Sequence, residues 1–191
     1  MIYDFDPRNL PPEYLRAVGL VAMASAQTES IMQDFIGALV GADNIETMAL
    51  TTHMAGPLKD HVARAMIELN ASAAAVVDDV DDLFDAIEGA LGKRNTIVHN
   101  PLIRNPETGE ILSHRFKARG SLQLELRPIT VAEIEEDAAL IYEAGVSLMQ
   151  YMILRGIAPA IRQRPLRVPL DRSKKARAER RNPSGGGVGA A

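Results

Sequence analysis

The stretch PEYLRAVGLVAMASAQTESIMQDFIGALV, residues 12–40, decides the fold class, because its apolar side chains recur at alternating steps of three and four positions. That spacing places them on one face of a long α-helix. Pro12 suits the first turn of such a helix, and Gly41 suits its end. The side chains predicted to face the core are Leu15, Val18, Ala22, Ser25, Glu29, Met32, Ile36 and Leu39.

A second helix is predicted over residues 44–69, where Asp43 and Glu46 have the spacing of a capping box. Pro57 interrupts this segment because a proline cannot donate a backbone hydrogen bond. We therefore expect either a kink at Gly56-Pro57 or two shorter helices. The side chains predicted to be buried are Ile45, Met48, Thr52, Ala55, Leu58, Val62, Ala65, Met66 and Leu69.

Two more helices are predicted, over residues 72–99 and 131–154. The first ends before Asn100-Pro101, because a residue that precedes proline is displaced from the helical region. The second begins with a capping box formed by Thr130 and Glu133. Their predicted buried side chains are Val76, Val80, Phe84, Ile87, Leu91 and Val98 in the first, and Val131, Ile134, Ala138, Ile141, Gly145, Leu148 and Met152 in the second.

The remaining segments complete the predicted fold. Residues 102–127 alternate in part between apolar and polar side chains and contain turn sequences, which predicts a β-hairpin or a short meander. Residues 161–191 are rich in Arg, Pro, Ser and Gly, a composition typical of a disordered tail. The predicted fold class is mainly α. A bundle of about four long helices forms one domain over residues 1–160, with the β insertion before the last helix and the basic tail after it.

Charge is distributed unevenly along the chain. Residues 1–161 carry 12 basic and 23 acidic side chains, whereas residues 162–191 carry nine basic and two acidic ones. An acidic body does not suit general phosphate binding. The tail could bind nucleic acid through phosphates, fold back onto the acidic body, or only keep the chain soluble. Its candidate nucleic-acid-binding side chains are Arg172, Lys174, Lys175, Arg177, Arg180 and Arg181.

Several classes of site are excluded by what the sequence lacks. With no Cys, the chain has no disulfide and no Cys-ligated zinc. Its four His do not have metal-ligand spacing and no phosphate-binding fingerprint is present, so we expect no metal and no cofactor. The N-terminus lacks the pattern of a signal peptide, and no apolar run reaches about 18 residues. We therefore expect a cytoplasmic protein without membrane contact.

The stretch KRNTIVHN, residues 93–100, concentrates polar side chains at the predicted end of the third helix. Arg94 follows Leu91 by three positions and so lies on the apolar face of that helix, and Glu29 lies on the apolar face of the first. An unpaired buried charge is costly, so the simplest inference is an ion pair between Glu29 and Arg94. The alternative is that Arg94 extends its guanidinium to solvent at the helix end.

His99 follows Arg94 by five positions, which is roughly 140° further around a regular helix. His99 instead shares a face with Asn95, four positions earlier. We therefore expect Arg94 and His99 to meet only if the helix unwinds before Pro101, or if a second protomer supplies one of them.

The run Arg94-Asn95-Thr96-Ile97-Val98-His99 resembles the signature of HEPN domains, in which Arg, a polar residue and a short spacer precede His. Glu29 and the stretch TTHM at residues 51–54 also resemble a set of uncharacterised bacterial proteins with the same RNxxVH ending. The resemblance implies an all-α bundle that is commonly dimeric. It also implies a metal-independent endoribonuclease of toxin–antitoxin, phage-defence or CRISPR systems, which could have a cognate antitoxin as a partner.

By that resemblance Arg94 and His99 form the catalytic site, with Asn95 as a supporting residue and Asn100 and Glu29 beside them. The chemistry suits these residue types. Imidazole can take the proton of a ribose 2′-hydroxyl, and a guanidinium matches the added negative charge of the phosphorane-like transition state. The expected products are a 2′,3′-cyclic phosphate and a 5′-hydroxyl.

A second interpretation assigns no chemistry to KRNTIVHN. Arg94 would then only satisfy Glu29 and the last carbonyls of its helix, and His99 and Asn100 would cap that helix end. The chain would be a non-catalytic dimerisation or interaction domain. Both interpretations are compatible with a homodimer, which small side chains at four core-facing positions would favour by permitting close helix approach. Those positions are Ala22, Ser25, Ala138 and Gly145.

Overall fold

The computed structural model of the chain describes residues 3–69, 80–119 and 121–158, all within one compact unit, Met1–Ile161. This part of the chain is mainly helical, with a three-stranded antiparallel sheet before the last helix. After a short 3-10 helix, Pro7–Asn9, the elements are α1 (Pro12–Val40), α2 (Asn44–Thr51), α3 (Gly56–Leu69), α4 (Asp81–His99), β1 (Leu102–Arg104), β2 (Ile111–Arg119), β3 (Ser121–Pro128) and α5 (Val131–Arg155).

Helix α1 has the bounds predicted from its spacing and packs against each of the other four described helices. Gly41 ends it in the left-handed region, with a φ of 65°. The buried face is centred one position away from the predicted one, so Leu15 and Ala22 are exposed. Ser25, Met32 and Ile36 are buried as predicted, and the core also includes a second, overlapping set of residues with the spacing of three and four. Its members are Ala17, Val21, Ala24, Thr28, Ile31 and Phe35.

Helices α1 and α5 approach closely, which accounts for the small residues that suggested a dimer. The Thr28 hydroxyl donates a hydrogen bond of 2.9 Å to the Ile141 carbonyl. A Cβ on Gly145 would lie 2.5 Å from the Thr28 Oγ1 atom. Ser25, Ala138 and Gly145 are therefore buried within one chain, and Ala22 is exposed. The small residues thus explain the intramolecular contact and give no support to a homodimer.

The segment predicted as a second helix is two helices, α2 and α3, separated before Gly56 as the proline suggested. The Asp43–Glu46 capping box is present. The predicted buried face is wrong, because Met48, Leu58 and Leu69 are 55%, 52% and 80% exposed. The break shifts the helical phase, and the buried face of α3 carries polar and small residues. They are Gly56, Lys59, Asp60 and Ala63.

Helix α4 is described from Asp81, so the predicted start of this helix and Val76 lie outside the described residues. Near its end Ile97 is buried, whereas Val98, predicted to be buried, is 39% exposed. The β insertion is a meander in the order β1-β2-β3, as expected. The Thr130–Glu133 capping box begins α5. All the predicted core residues of α5 are buried except Val131, which is half-buried.

The predicted tail, residues 161–191, lies outside the described residues. Among the described helices, none is both long enough and apolar enough to cross a membrane.

Candidate functional site

The candidate site lies at the C-terminal end of α4, where the helix brings Arg94, Asn95 and His99 together. Buried Leu91 and Ile97 flank Arg94, which is itself half-buried. One terminal guanidinium nitrogen of Arg94 donates a hydrogen bond of 2.9 Å to the Asn95 side-chain oxygen. The same nitrogen lies 3.5 Å from His99 Nε2.

The contact between Arg94 and His99 forms within one chain on a continuous helix. The prediction that it needs an unwound helix or a second protomer is therefore wrong. Helix α4 remains helical through His99, and Asn100 leaves it with extended backbone angles. The physical reason is the length of the arginine side chain. Although the Cα atoms of Arg94 and His99 point in different directions around the helix, the guanidinium of Arg94 extends far enough to reach the imidazole.

The proton positions in this contact follow from the donors available. A guanidinium only donates, so the Asn95 atom facing it is the oxygen, and His99 Nε2 accepts through its lone pair. An accepting Nε2 corresponds to the tautomer that carries its proton on Nδ1. A separation of 3.5 Å is at the limit for a hydrogen bond, so the imidazole is only weakly held. His99 is exposed and can turn toward a ligand.

Asn100 stabilises the helix end and does not join the other three side chains. Its Nδ2 atom donates a hydrogen bond of 2.7 Å to the Thr96 carbonyl in the last turn of α4. Arg94 Nε is buried, and no group in the described part of the chain accepts a hydrogen bond from it. Lys93 points elsewhere, because its Nζ atom lies 2.7 Å from Asp137 of α5. That hydrogen bond raises the pKa of Lys93.

Glu29 pairs with Lys59 and not with Arg94, so the predicted ion pair is wrong. Lys59 Nζ lies 2.8 Å from a Glu29 carboxylate oxygen. Lys59 is 2% exposed, and an ammonium group taken that far from water requires a carboxylate partner. Hydrophobic spacing did not indicate this pair, because it identifies apolar side chains and Lys59 is charged.

A second charge cluster, in which only Asp60 is buried, is formed by the next turn of α3 and the start of α4. Arg64 contacts Asp60 one turn earlier at 3.1 Å, and it reaches Asp81 and Asp85 of α4 at 2.7 Å each. Its guanidinium also lies 5.4 Å from the centroid of the Phe84 ring. Burial opposes the charge on Arg64, but the hydrogen bonds to Asp85 and Asp60 outweigh burial and raise its pKa. The spacing of Asp60 and Arg64, four positions apart, was the available signal in the sequence.

A cavity of about 160 Å³ lies between α1, α3 and α4 and is lined in part by Asn95. Its apolar wall includes Met32, Ile87 and Leu91, and its polar wall includes Asp60, Glu88 and Asn95. Positions 88, 92, 95 and 99 are spaced four, three and four apart, so they lie along one face of α4. The cavity wall and His99 therefore share a helix face, with Asn95 between them.

The basic tail residues proposed to bind nucleic acid, from Arg172 to Arg181, lie outside the described residues. In the described ranges, no group of three or more His, Asp or Glu side chains could hold a metal ion. No protein-family model, curated protein or solved structure matches the chain.

Proposed function

We propose that the chain is a metal-independent endoribonuclease of the HEPN type, with Arg94 and His99 as its catalytic residues. The observation that supports this most is the 3.5 Å separation between the Arg94 guanidinium and His99 Nε2. An accepting imidazole nitrogen lies directly beside a cation at an exposed helix end. Transesterification of RNA needs that combination of a proton acceptor and a cation close to the reacting phosphate.

The proposed reaction uses the two side chains in one step. His99 Nε2 accepts the proton of a ribose 2′-hydroxyl, and the 2′-oxygen attacks the adjacent phosphorus. The bond between phosphorus and the 5′-oxygen breaks, and the leaving oxygen takes a proton from water. Arg94 donates hydrogen bonds to the non-bridging oxygens, whose negative charge increases in the transition state. The products are a 2′,3′-cyclic phosphate and a 5′-hydroxyl.

Asn95 has a positioning role in this proposal. Its oxygen accepts a hydrogen bond from Arg94, which holds the guanidinium at the end of α4 and directs it toward His99. A homodimer could bring two such sets into one groove, and a cognate antitoxin could cover them. Both partners are implied by the resemblance to HEPN domains and are proposed on that ground alone.

The test of this proposal is cleavage of single-stranded RNA by the purified chain in excess EDTA. We expect His99→Ala and Arg94→Ala to reduce the cleavage rate by at least about 100-fold, the lower range for loss of a general acid–base group. His61→Ala is the matched control, because His61 is exposed on α3 and bonds only the Pro57 carbonyl among the described residues. A single 2′-deoxy substitution at the cleaved position should block the reaction.

The contrary outcome is equally specific. If the folded wild type leaves a broad panel of RNA intact, as His99→Ala does, the catalytic proposal fails. If cleavage occurs but is unaffected by His99→Ala, the assignment of the base is wrong.

The basic tail is proposed to add affinity for RNA without taking part in the chemistry. Replacing Arg172, Lys174, Lys175, Arg177, Arg180 and Arg181 by Gln should weaken RNA binding and reduce its dependence on salt, because fewer counterions are released. The maximal cleavage rate should change little. Binding measured by fluorescence anisotropy over a salt series checks this, and an unchanged salt slope would contradict it.

A second candidate is an interaction domain in which Arg94 and His99 only stabilise the end of α4. An open groove of about 530 Å³ between α1 and α5 favours it, because Leu20, Met23 and Tyr142 line this groove and are 47%, 71% and 49% exposed. Exposed apolar surface of this kind is typical of contact sites. The EDTA cleavage assay separates the two candidates.

A further inference from the structure

We propose that the cavity between α1, α3 and α4 is a nucleobase subsite that selects guanine next to the cleaved phosphate. The inference rests on the proposed RNA cleavage for its biological meaning. The binding site itself rests on the cavity and its lining, which can be tested without cleavage.

The size of the cavity suits one six-membered ring. Its volume is about 160 Å³, and an apolar cavity of about 150 Å³ in another protein holds benzene. The six-membered ring of a purine therefore enters, and the five-membered ring and the ribose remain at the mouth. Met32, Ile87 and Leu91 supply the apolar contacts to the ring.

The charge of the lining excludes a phosphate and favours a group that donates hydrogen bonds. Asp60 and Glu88 are the charged side chains of the cavity wall, and both are acidic. Asp60 is 5% exposed, and its two oxygens already accept from Arg64 Nε at 3.3 and 3.1 Å. Each carboxylate oxygen of Asp60 has a further lone pair, so the two oxygens together can accept hydrogen bonds from two adjacent donors.

Guanine matches this pattern better than the other bases. Its pairing edge carries two adjacent donors, N1–H and the 2-amino group, followed by the O6 acceptor. The carboxylate of Asp60 suits the two donors. The Asn95 Nδ2 atom, which bonds no group in the described ranges, suits O6. Adenine, cytosine and uracil each place an acceptor next to a donor, and that acceptor would face the carboxylate.

The position of the cavity along α4 connects base binding to the proposed chemistry. Asn95 lies on the cavity wall, and His99 is one turn further along the same face, about 6 Å along the helix axis. A nucleotide whose base enters the cavity therefore has its sugar–phosphate near Arg94 and His99. Asn95 contacts both parts, because its oxygen accepts from Arg94.

The test compares binding of guanosine 5′-monophosphate and inosine 5′-monophosphate to the full chain by titration calorimetry. Inosine lacks only the 2-amino donor, so we expect it to bind at least about tenfold more weakly, the effect of losing a hydrogen bond to a charged group. Gly92→Leu should abolish guanosine monophosphate binding, because Gly92 lines the cavity and a Cβ there meets no atom within 4 Å. From that Cβ the leucine side chain would occupy space in the cavity.

Gly89→Leu is the matched control, because a Cβ at Gly89 also meets no atom within 4 Å. Gly89 does not line the cavity but faces the groove toward α5, so this variant should bind guanosine monophosphate as the wild type does. Equal binding of the two nucleotides, or equal loss in both leucine variants, would overturn the subsite.

The two proposals fail in different ways. RNA cleavage that depends on His99 but shows no preference for guanine, together with no nucleotide binding, would leave the ribonuclease and remove the subsite. Binding of guanosine monophosphate that Gly92→Leu abolishes, without any RNA cleavage, would leave the subsite and remove the ribonuclease.

Discussion

Two groups of charged side chains lie at α4, and they differ in whether their cations have a carboxylate partner. Lys59 and Arg64, on α3, each have a carboxylate within 3.1 Å, and Lys59 is almost completely buried. Arg94, at the end of α4, has no carboxylate within 4.0 Å in the described part of the chain and donates to a neutral amide. Removal from water forces Lys59 to be neutralised internally. Arg94 is half-buried and keeps contact with solvent.

The largest loss of stability that would test this comparison is expected when Lys59 is replaced by alanine. Lys59→Ala leaves Glu29 beside the core without its partner, and breaking a buried ion pair costs about 3–5 kcal/mol. The lower end of that range is expected, because the Glu29 side chain is 28% exposed and can be partly hydrated. Urea unfolding followed by circular dichroism measures the loss.

Arg16→Ala is the control for Lys59→Ala. Arg16 pairs with Glu135 at 3.2 Å, but its side chain is 68% exposed. Exposed ion pairs contribute roughly 0–1 kcal/mol, so this variant should be nearly as stable as the wild type. Similar losses in the two variants would show that the burial of Lys59 has no energetic consequence.

A smaller effect is expected in double-mutant cycles that start from Glu29. The cycle of Glu29→Gln with Lys59→Met should give a coupling energy of about 1–3 kcal/mol, because these side chains are in contact. The cycle of Glu29→Gln with Arg94→Met should be additive within about 0.5 kcal/mol. A strong coupling between Glu29 and Arg94 would restore the ion pair that the sequence suggested.

The helices could be predicted because periodicity and capping are local properties. The bounds of α1 follow from one long spacing pattern with Pro12 at its start and Gly41 at its end. The capping boxes at Asp43 and Thr130 likewise depend on residues three positions apart. The meander follows from local turn sequences. These signals do not require knowledge of what each element contacts.

The buried faces and the ion pairs could not be predicted as well, because they depend on contacts between elements. Two overlapping faces of α1 satisfy the same spacing, and which of their residues are buried depends on contacts such as the close approach of Gly145 to Thr28. Lys59 and Asp60 are charged, so hydrophobic periodicity places them outside the core. Asn95 was predicted as a supporting residue of the site. Its position beside a cavity could not be predicted, because α1 and α3 form the other walls of that cavity.

The smallest losses of stability that would test this comparison are expected for Arg94→Ala and His99→Ala. Arg94 loses one hydrogen bond to a neutral amide, a weak contact with His99 and some packing of its aliphatic stem. Its buried Nε has no acceptor in the described residues, so removing it also relieves an unsatisfied donor. We expect a loss below about 1 kcal/mol for Arg94→Ala and below about 0.5 kcal/mol for the exposed His99→Ala. Urea unfolding of both variants beside Lys59→Ala checks this ranking.

A loss near 3 kcal/mol in Arg94→Ala would assign Arg94 a structural role like that of Lys59. It would favour the interaction domain, because Arg94 would then be required for folding. A small loss combined with abolished RNA cleavage would separate folding from chemistry, since the same two substitutions would leave the bundle intact and remove only the reaction.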